Sequence, residues 1–366
     1  MEFSFFSRLA LFVSVATAFV SCNSENQYYS LSDFEKVKKI DAHVHIETND
    51  SSAILQARKD NFQLLTINYD DINEGPPIAD QQRFALKHVR QFPSLINFTT
   101  GISIREFNQA GWSTETIEFI RRAIAEGAKA VKVYKIIGMT LRDTSGKLVM
   151  VDDPRLDSLF DYISDSKIPV VGHLGEPKNC WLPIEQMTVK GDKSYFSNHP
   201  EYHMYKHPEL PSYEEQIAAR DNRVAKDSNL IFVGAHLGSL EWNVDSLAAR
   251  LDRFPNMAVD MAARIVHFQV QARDNWQKVH DFMVRYSDRL LYATDKMATM
   301  NSNPKEDMNS FHETWINDWK FFTSEDPMSS GEFDGGFKGL HLPRYVIDRI
   351  YHENAQKWLN IFPTNK

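Results

Sequence analysis

Two histidines one residue apart, in Asp41-Ala42-His43-Val44-His45, have the clearest capacity for chemistry in this chain. Alternate side chains of an extended strand share a face. His43 and His45 therefore project together, and two neutral imidazoles so placed can reach one divalent ion. By the same alternation Asp41 falls on that face, one layer deeper. Alone, the pattern fits equally well a pair of polar histidines on a half-exposed strand. Three further residues tip the balance. His173 ends Pro-Val-Val-Gly-His, His236 ends Ile-Phe-Val-Gly-Ala-His, and Asp295 ends Leu-Leu-Tyr-Ala-Thr-Asp. One polar residue at the end of an apolar strand is often only a solvated terminus. Four strands ending in metal-ligand types predict a metal site.

Weaker candidates surround this set. Ala130-Val131-Lys132-Val133-Tyr134-Lys135 carries two lysines and a tyrosine near a strand end. Lys132 sits inside the strand and reads as a cation for a substrate carboxylate or as a salt-bridged core lysine. Lys135 is the alternative residue to reach the pocket, and Tyr134 is a weak substrate contact. Glu176 follows His173 closely and is either a substrate contact or a plain loop carboxylate. Arg264, just past the seventh strand, suits an acidic substrate group as well as a surface salt bridge. His199, His203 and His207 have the spacing of a helix face but read as mobile surface histidines. Asp152-Asp153-Pro154 reads as a helix start, with carboxylates at its positive end.

These residues need a scaffold that brings strand ends together. From Lys38 onward, short β-rich runs alternate with amphipathic helical stretches, the pattern of a parallel sheet. The strand candidates are 39–45, 62–68, 95–103, 128–134, 169–173, 230–236, 256–261 and 289–294. Helices are expected at 79–91, 114–126, 154–166, 213–226, 240–253, 273–286, 306–322 and 343–359. Eight such units predict an α/β fold, a (β/α)8 TIM barrel, with long inserted loops after strands five (174–212) and eight (296–342). No Gly-x-Gly-x-x-Gly follows any strand, which argues against a dinucleotide fold. Both long connections carry several aromatics: Trp181, Tyr195, Phe196, Tyr202 and Tyr205 in one, Trp315, Trp319, Phe321 and Phe322 in the other. They are expected to be lids over the site.

The chain has 366 residues, 25% of them charged, and a net charge of −8. It lacks a block of Lys and Arg that could track a phosphate backbone, so nucleic acid is not an expected partner. Residues 1–21 read as a signal peptide: Arg8 precedes an apolar run from Leu9 to Val20 that is too short to span a bilayer. Cys22 after Ser21 resembles a bacterial lipoprotein cleavage site. It predicts lipidation of Cys22, a polar tether over 22–36, a barrel domain over 37–366, and an exported protein anchored to a bacterial membrane, facing periplasm or cell surface. Cys180, the other of the two cysteines, is then a free thiol in a loop.

With the Asp-x-His-x-His at 41–45, the strand-end histidines 173 and 236, His-Leu-Gly at 236–238, Thr-Asp at 294–295 and the stretch from Leu342-Pro343 to Asn354-Ala355, the chain resembles the amidohydrolase superfamily in its amidohydrolase-related branch, over roughly 40–359. That resemblance implies a metal held by His43, His45, His173 and Asp295, with His236 close to the activated water or substrate oxygen. It implies one divalent ion per chain, with zinc the first choice and manganese an alternative. In two-metal members a carbamylated lysine bridges the ions, a third role for Lys132. Asp295 and His236 would be the catalytic residues: Asp295 would take a proton from water, and His236 would polarise a carbonyl or hold the water. The branch holds hydrolases and non-oxidative decarboxylases. The expected function is hydrolysis of an amide, lactone or ester of a small substrate. The alternatives are decarboxylation of an aromatic or unsaturated acid, and an inactive barrel that only binds a ligand. Oligomeric state is left open, a homo-oligomer included.

Overall fold

Strand β1, Lys39–Glu47, is buried along all nine residues, as a strand covered on both faces must be. It opens a computed structural model that describes residues 27–71 and 75–363. The leader and Cys22 lie outside the described residues. Among those residues no helix is long and apolar enough to cross a membrane. Beyond β1 come β2 (Phe62–Thr66), β3 (Ile96–Phe98), β4 (Thr100–Gly101), β5 (Val131–Val133), β6 (Val170–Gly172), β7 (Phe232–Gly234), β8 (Met257–Asp260), β9 (Leu290–Leu291) and β10 (Met297–Thr299).

Every hydrogen-bonded pair in this series, β10 with β1 included, is parallel. β3 and β4 flank Thr99 and act as one strand: Thr99 N donates to Thr66 O, and Thr100 N donates to Ala130 O. The eighth strand runs from β9 into β10. It closes the ring on β1 through Ala42 N to Tyr292 O (3.0 Å), Asp295 N to His43 O (2.8 Å) and His45 N to Lys296 O (2.8 Å). The architecture is therefore an eight-stranded parallel (β/α)8 barrel, with β6 as the fifth strand. Ile40, Ala42, Leu65, Val171, Val233, Ala258 and Leu291, from six of the strands, form one apolar cluster with Ala130, the residue before β5. A second, larger core lies under the surrounding helices.

The helices are α1 (Ser52–Lys59), α2 (Ile78–Gln91), α3 (Trp112–Ala125), α4 (Ile136–Met139), α5 (Asp157–Asp165), α6 (Lys190–Asn198), α7 (Tyr213–Lys226), α8 (Val244–Arg253), α9 (Ile265–Arg285), α10 (Pro304–Thr323), α11 (Arg344–Asp348) and α12 (Asn354–Leu359). Local signals explain several starts. Ser212 caps α7 in a box with Glu215. Asp153 accepts from Arg155 N at 2.9 Å, the expected helix start.

Three expectations need correction. Asp41 does not share the face of His43 and His45. The register of β1 against β2 shifts between Asp41 and Val44, and such a bulge reverses the side-chain phase. Asp41 instead meets Trp315 Nε1 (2.9 Å) and Thr294 Oγ1 (2.6 Å). Second, the aromatics of the eighth-strand connection are not lid residues. Trp315, Trp319, Phe321 and Phe322 are fully buried, because α10 is the barrel's eighth helix and its apolar stripe is core. Third, His203 is neither on the surface nor on a helix face. It is buried, with Nε2 2.8 Å from Leu182 O, and the chain around it is broken into 3-10 turns at 200–202 and 204–206.

Candidate metal centre

The predicted residues converge on one cavity of about 360 Å³ at the carboxyl ends of the strands. His43, His45, Lys132, Tyr134, Lys135, His173, Glu176, His236, Arg264 and Asp295 all line it, with Tyr69, Asp192, Tyr195, Phe196 and others. At its floor one carboxylate oxygen gathers two imidazoles: Asp295 Oδ1 lies 3.2 Å from His45 Nε2 and 3.4 Å from His43 Nε2. Ligand atoms of His43, His236 and Asp295 all fall within 4.8 Å of one another. The His236 ring stands 4.2 Å from His173 and 5.2 Å from His43, centre to centre.

The backbone places these groups at some cost. His236 (φ +57°), Ala263 (+54°) and Asp295 (+64°) are non-glycine residues in the left-handed region, each at or just past a strand end. Such conformations cost of order 1–3 kcal/mol and persist where the surrounding structure enforces them.

Electrostatics keep the imidazoles in the form a metal needs. Burial pushes His43 down, and the Lys132 ammonium pushes the same way. Burial takes His173 well below the usual histidine range and His236 to about 3. Neutral imidazole is the ligating form. Asp295 lies well below the usual carboxylate range despite its burial, so it is the ionised member of the cluster. The ring tautomers follow from second partners. His43 Nδ1 faces Asp260 Oδ2 at 2.8 Å, so Nε2 is left as an electron-pair donor toward Asp295. His236 Nδ1 faces Ala262 O at 2.9 Å. A carbonyl can only accept, so Nδ1 carries the proton and Nε2 is an acceptor. That fits ligation or holding a water, and not polarisation of a carbonyl. Neutral imidazoles with free nitrogens around an ionised carboxylate are the donor set a divalent cation requires, so these residues fit the metal that the sequence implies.

Lys132 Nζ sits 3.3 Å from His43 Nε2, buried, and burial lowers it to about 8. Lys135 is tied to Glu176 in a buried ion pair, so these two candidates neutralise each other. Arg264 lines the cavity and makes no salt bridge among the described residues. Tyr134 packs its ring 4.6 Å from Tyr69 and 5.6 Å from His173. Cys180 is a buried free thiol outside the cavity, raised by burial. Of the first long connection, Asp192, Tyr195 and Phe196 reach the cavity, so that part covers the site as expected.

Sequence reasoning missed Asp260. It ends β8, and the strand-end rule that found His173, His236 and Asp295 would have found it too. Its carboxylate also accepts His236 N at 2.8 Å and Ala262 N at 3.1 Å, so one group orients two histidines.

The family model described as Amidohydrolase matches residues 40–361; the chain belongs to that family. Among solved structures it is similar to an uncharacterised TIM-barrel protein from Bordetella bronchiseptica (14% identity, 88% of this chain and 99% of that one, TM-score 0.49). It is similar also to 2,6-dihydroxybenzoate decarboxylase from Rhizobium (12%, 89% and 99%, 0.49). A third is 4-oxalomesaconate hydratase from Rhodopseudomonas palustris (11%, 88% and 95%, 0.44). No curated protein matches.

Proposed function

We propose that this chain is a metal-dependent hydrolase that activates water to cleave an amide, lactone or ester bond of a small substrate. The observation that carries the reading is the cluster of His43, His236 and Asp295 within 4.8 Å, in a cavity where burial keeps His43, His173 and His236 neutral. His43 and Asp295 hold the ion in this proposal, with His45 beside the same carboxylate oxygen and His173 as the fourth group; zinc is the first choice. When bound, the ion lowers the pKa of a water from ~15.7 toward ~7 and polarises the carbonyl.

The protein's own groups do the rest. Asp295, ionised, accepts the water's proton as its oxygen attacks the carbonyl carbon. Asp295 then returns that proton to the departing nitrogen or oxygen as the C–N or C–O bond breaks. His236 Nε2 orients the water as an acceptor. Lys132 supplies positive charge at the cavity floor.

Metal content by mass spectrometry tests this. About one ion per chain is expected in the wild type, with occupancy and turnover both lost in His173→Ala. In His236→Ala occupancy is kept and turnover falls ~10²-fold or more. Occupancy lost in His236→Ala but kept in His173→Ala would exchange the two roles. About two ions would make Lys132 a bridging carbamate. CO2 release without addition of water would replace hydrolysis with decarboxylation. A folded chain that takes up no metal would leave only a ligand-binding barrel.

A further inference from the structure

A second pocket, of about 40 Å³, adjoins the catalytic cavity. The two share a wall, because Lys135 and Glu176 line both. Apart from its charged groups and Thr140, the lining of the second pocket is apolar. Ile136 and Met139 come from α4, and Tyr202, Met204 and Leu210 from the first long connection. Ile136, Met139 and Met204 are buried. Sulfur is abundant here: Met139, Met187, Met204 and Cys180 belong to one small apolar cluster, packed on Tyr202 and Leu210 and separate from the barrel core. Unbranched thioether side chains re-pack at low cost, so this wall can widen around a guest. The shared wall carries little net charge. The Lys135 ammonium pairs with Glu176 and stands 5.6 Å from the centre of the Tyr202 ring. The other charged groups on the lining, Asp71 and Glu201, are both acidic.

We propose that this pocket is a subsite for the end of a short unbranched alkyl chain, reached from the catalytic cavity over the Lys135–Glu176 pair. The volume admits a chain end and not a ring. A water in the liquid takes ~30 Å³, so 40 Å³ holds about one or two methylene-sized groups before the methionines give way. The paired charges on the threshold already satisfy each other, so an uncharged chain crosses them without leaving either charge unpaired. A chain ending in a carboxylate would meet two like charges at Asp71 and Glu201. This inference rests on the catalytic cavity being the site of the proposed hydrolase. It gives that site a class of substrate: an amide, lactone or ester with a linear aliphatic chain, uncharged at its far end.

The test uses the full chain, zinc-loaded, and a series of linear hydroxamates from acetohydroxamate to octanohydroxamate in calorimetric titration. Their head group chelates zinc, so only the chain varies. Affinity is expected to rise ~4-fold with each methylene that enters the pocket and then to level off. The same chain ending in a carboxylate is expected to lose that gain. Leu210→Trp, which fills the pocket from its half-buried side, flattens the series and leaves zinc content unchanged. Met204→Ala, which enlarges the pocket, moves the plateau to longer chains. A flat series in the wild type overturns the proposal, as does a rising series that neither variant alters. Xenon, followed by its NMR shift on metal-free protein, separates the two readings, because an apolar cavity takes it up without a metal. Xenon uptake that is present in the wild type and lost in Leu210→Trp sustains the pocket, even where no hydroxamate binds and the hydrolase reading falls. Equal xenon shifts in the two proteins overturn the subsite.

Discussion

Asp260 shows how a single buried residue can govern a site without facing its ligand. Its Oδ2 fixes the tautomer of His43, and its Oδ1 accepts the backbone N–H of His236. Although burial would raise this carboxyl, His43 first among its neighbours holds it below the usual range, so it is a charged acceptor behind a histidine. Such partners orient a ligand and raise its basicity, and their loss commonly costs ~10–100-fold in metal affinity. Asp260→Asn is expected to weaken zinc binding by that factor in a chelator competition, with a near-unchanged far-UV spectrum. Full affinity in the variant would show that His43 is oriented by its packing alone. The sequence displayed His43, His45, His173, His236 and Asp295 because each ends an apolar run. Asp260 obeys the same rule, but its role passes through a contact 217 residues away in the chain. Local pattern carries no trace of that partner.

At the scale of the element, small residues in the strands decide whether the barrel can close around its contents. Gly172 in β6 lies beside Phe232 of β7: an added Cβ would fall 2.4 Å from the ring. Gly172→Ala therefore forces the ring or the strand to move, at a cost of ~1–3 kcal/mol, and the strand it would move carries His173 one residue on. A melting temperature lower by a few degrees is expected, with partial recovery in the double variant Gly172→Ala, Phe232→Leu. An unchanged melting temperature would mean that the ring has room to turn. Element types and order were readable because parallel strands and amphipathic helices have distinct periods. The role of α10 was not. Trp315, Trp319, Phe321 and Phe322 look alike whether they cover a substrate or a barrel wall, and only their full burial separates the two. The phase of β1 was likewise hidden, because a bulge changes which side chains share a face without changing composition.

For the whole molecule, the seam between the first and last strands is the joint to watch. It is backed by buried polar groups. Trp315 of α10 holds Asp41 of β1, and Tyr292 of the eighth strand donates to Asp318 of α10 at 2.8 Å. Burial raises the Asp318 carboxyl from 3.8 to about 7, with the Tyr292 hydroxyl pulling back only in part. A carboxyl whose folded pKa lies above its unfolded one stabilises fully below about 4, and that contribution is lost as pH rises through about 7. Asp318→Asn keeps an acceptor for Tyr292 and removes the titration. Relative to it, the wild type is expected to lose thermal stability between about pH 4 and 7. Parallel pH profiles for the two proteins would show that Asp318 does not titrate in this range.

That same seam also sets when the site can exist at all. Asp41 and Thr294, which meet across it, are 253 residues apart in sequence, and the ring hydrogen bond of Asp295 to His43 spans almost the same interval. During synthesis the two histidines of β1 leave the ribosome long before Asp295, the carboxylate that faces them. No nascent fragment that stops short of the eighth strand holds the whole constellation, so a chain abandoned midway has histidines on an open sheet edge and no assembled centre. Activity, in this architecture, requires that translation has passed the eighth strand.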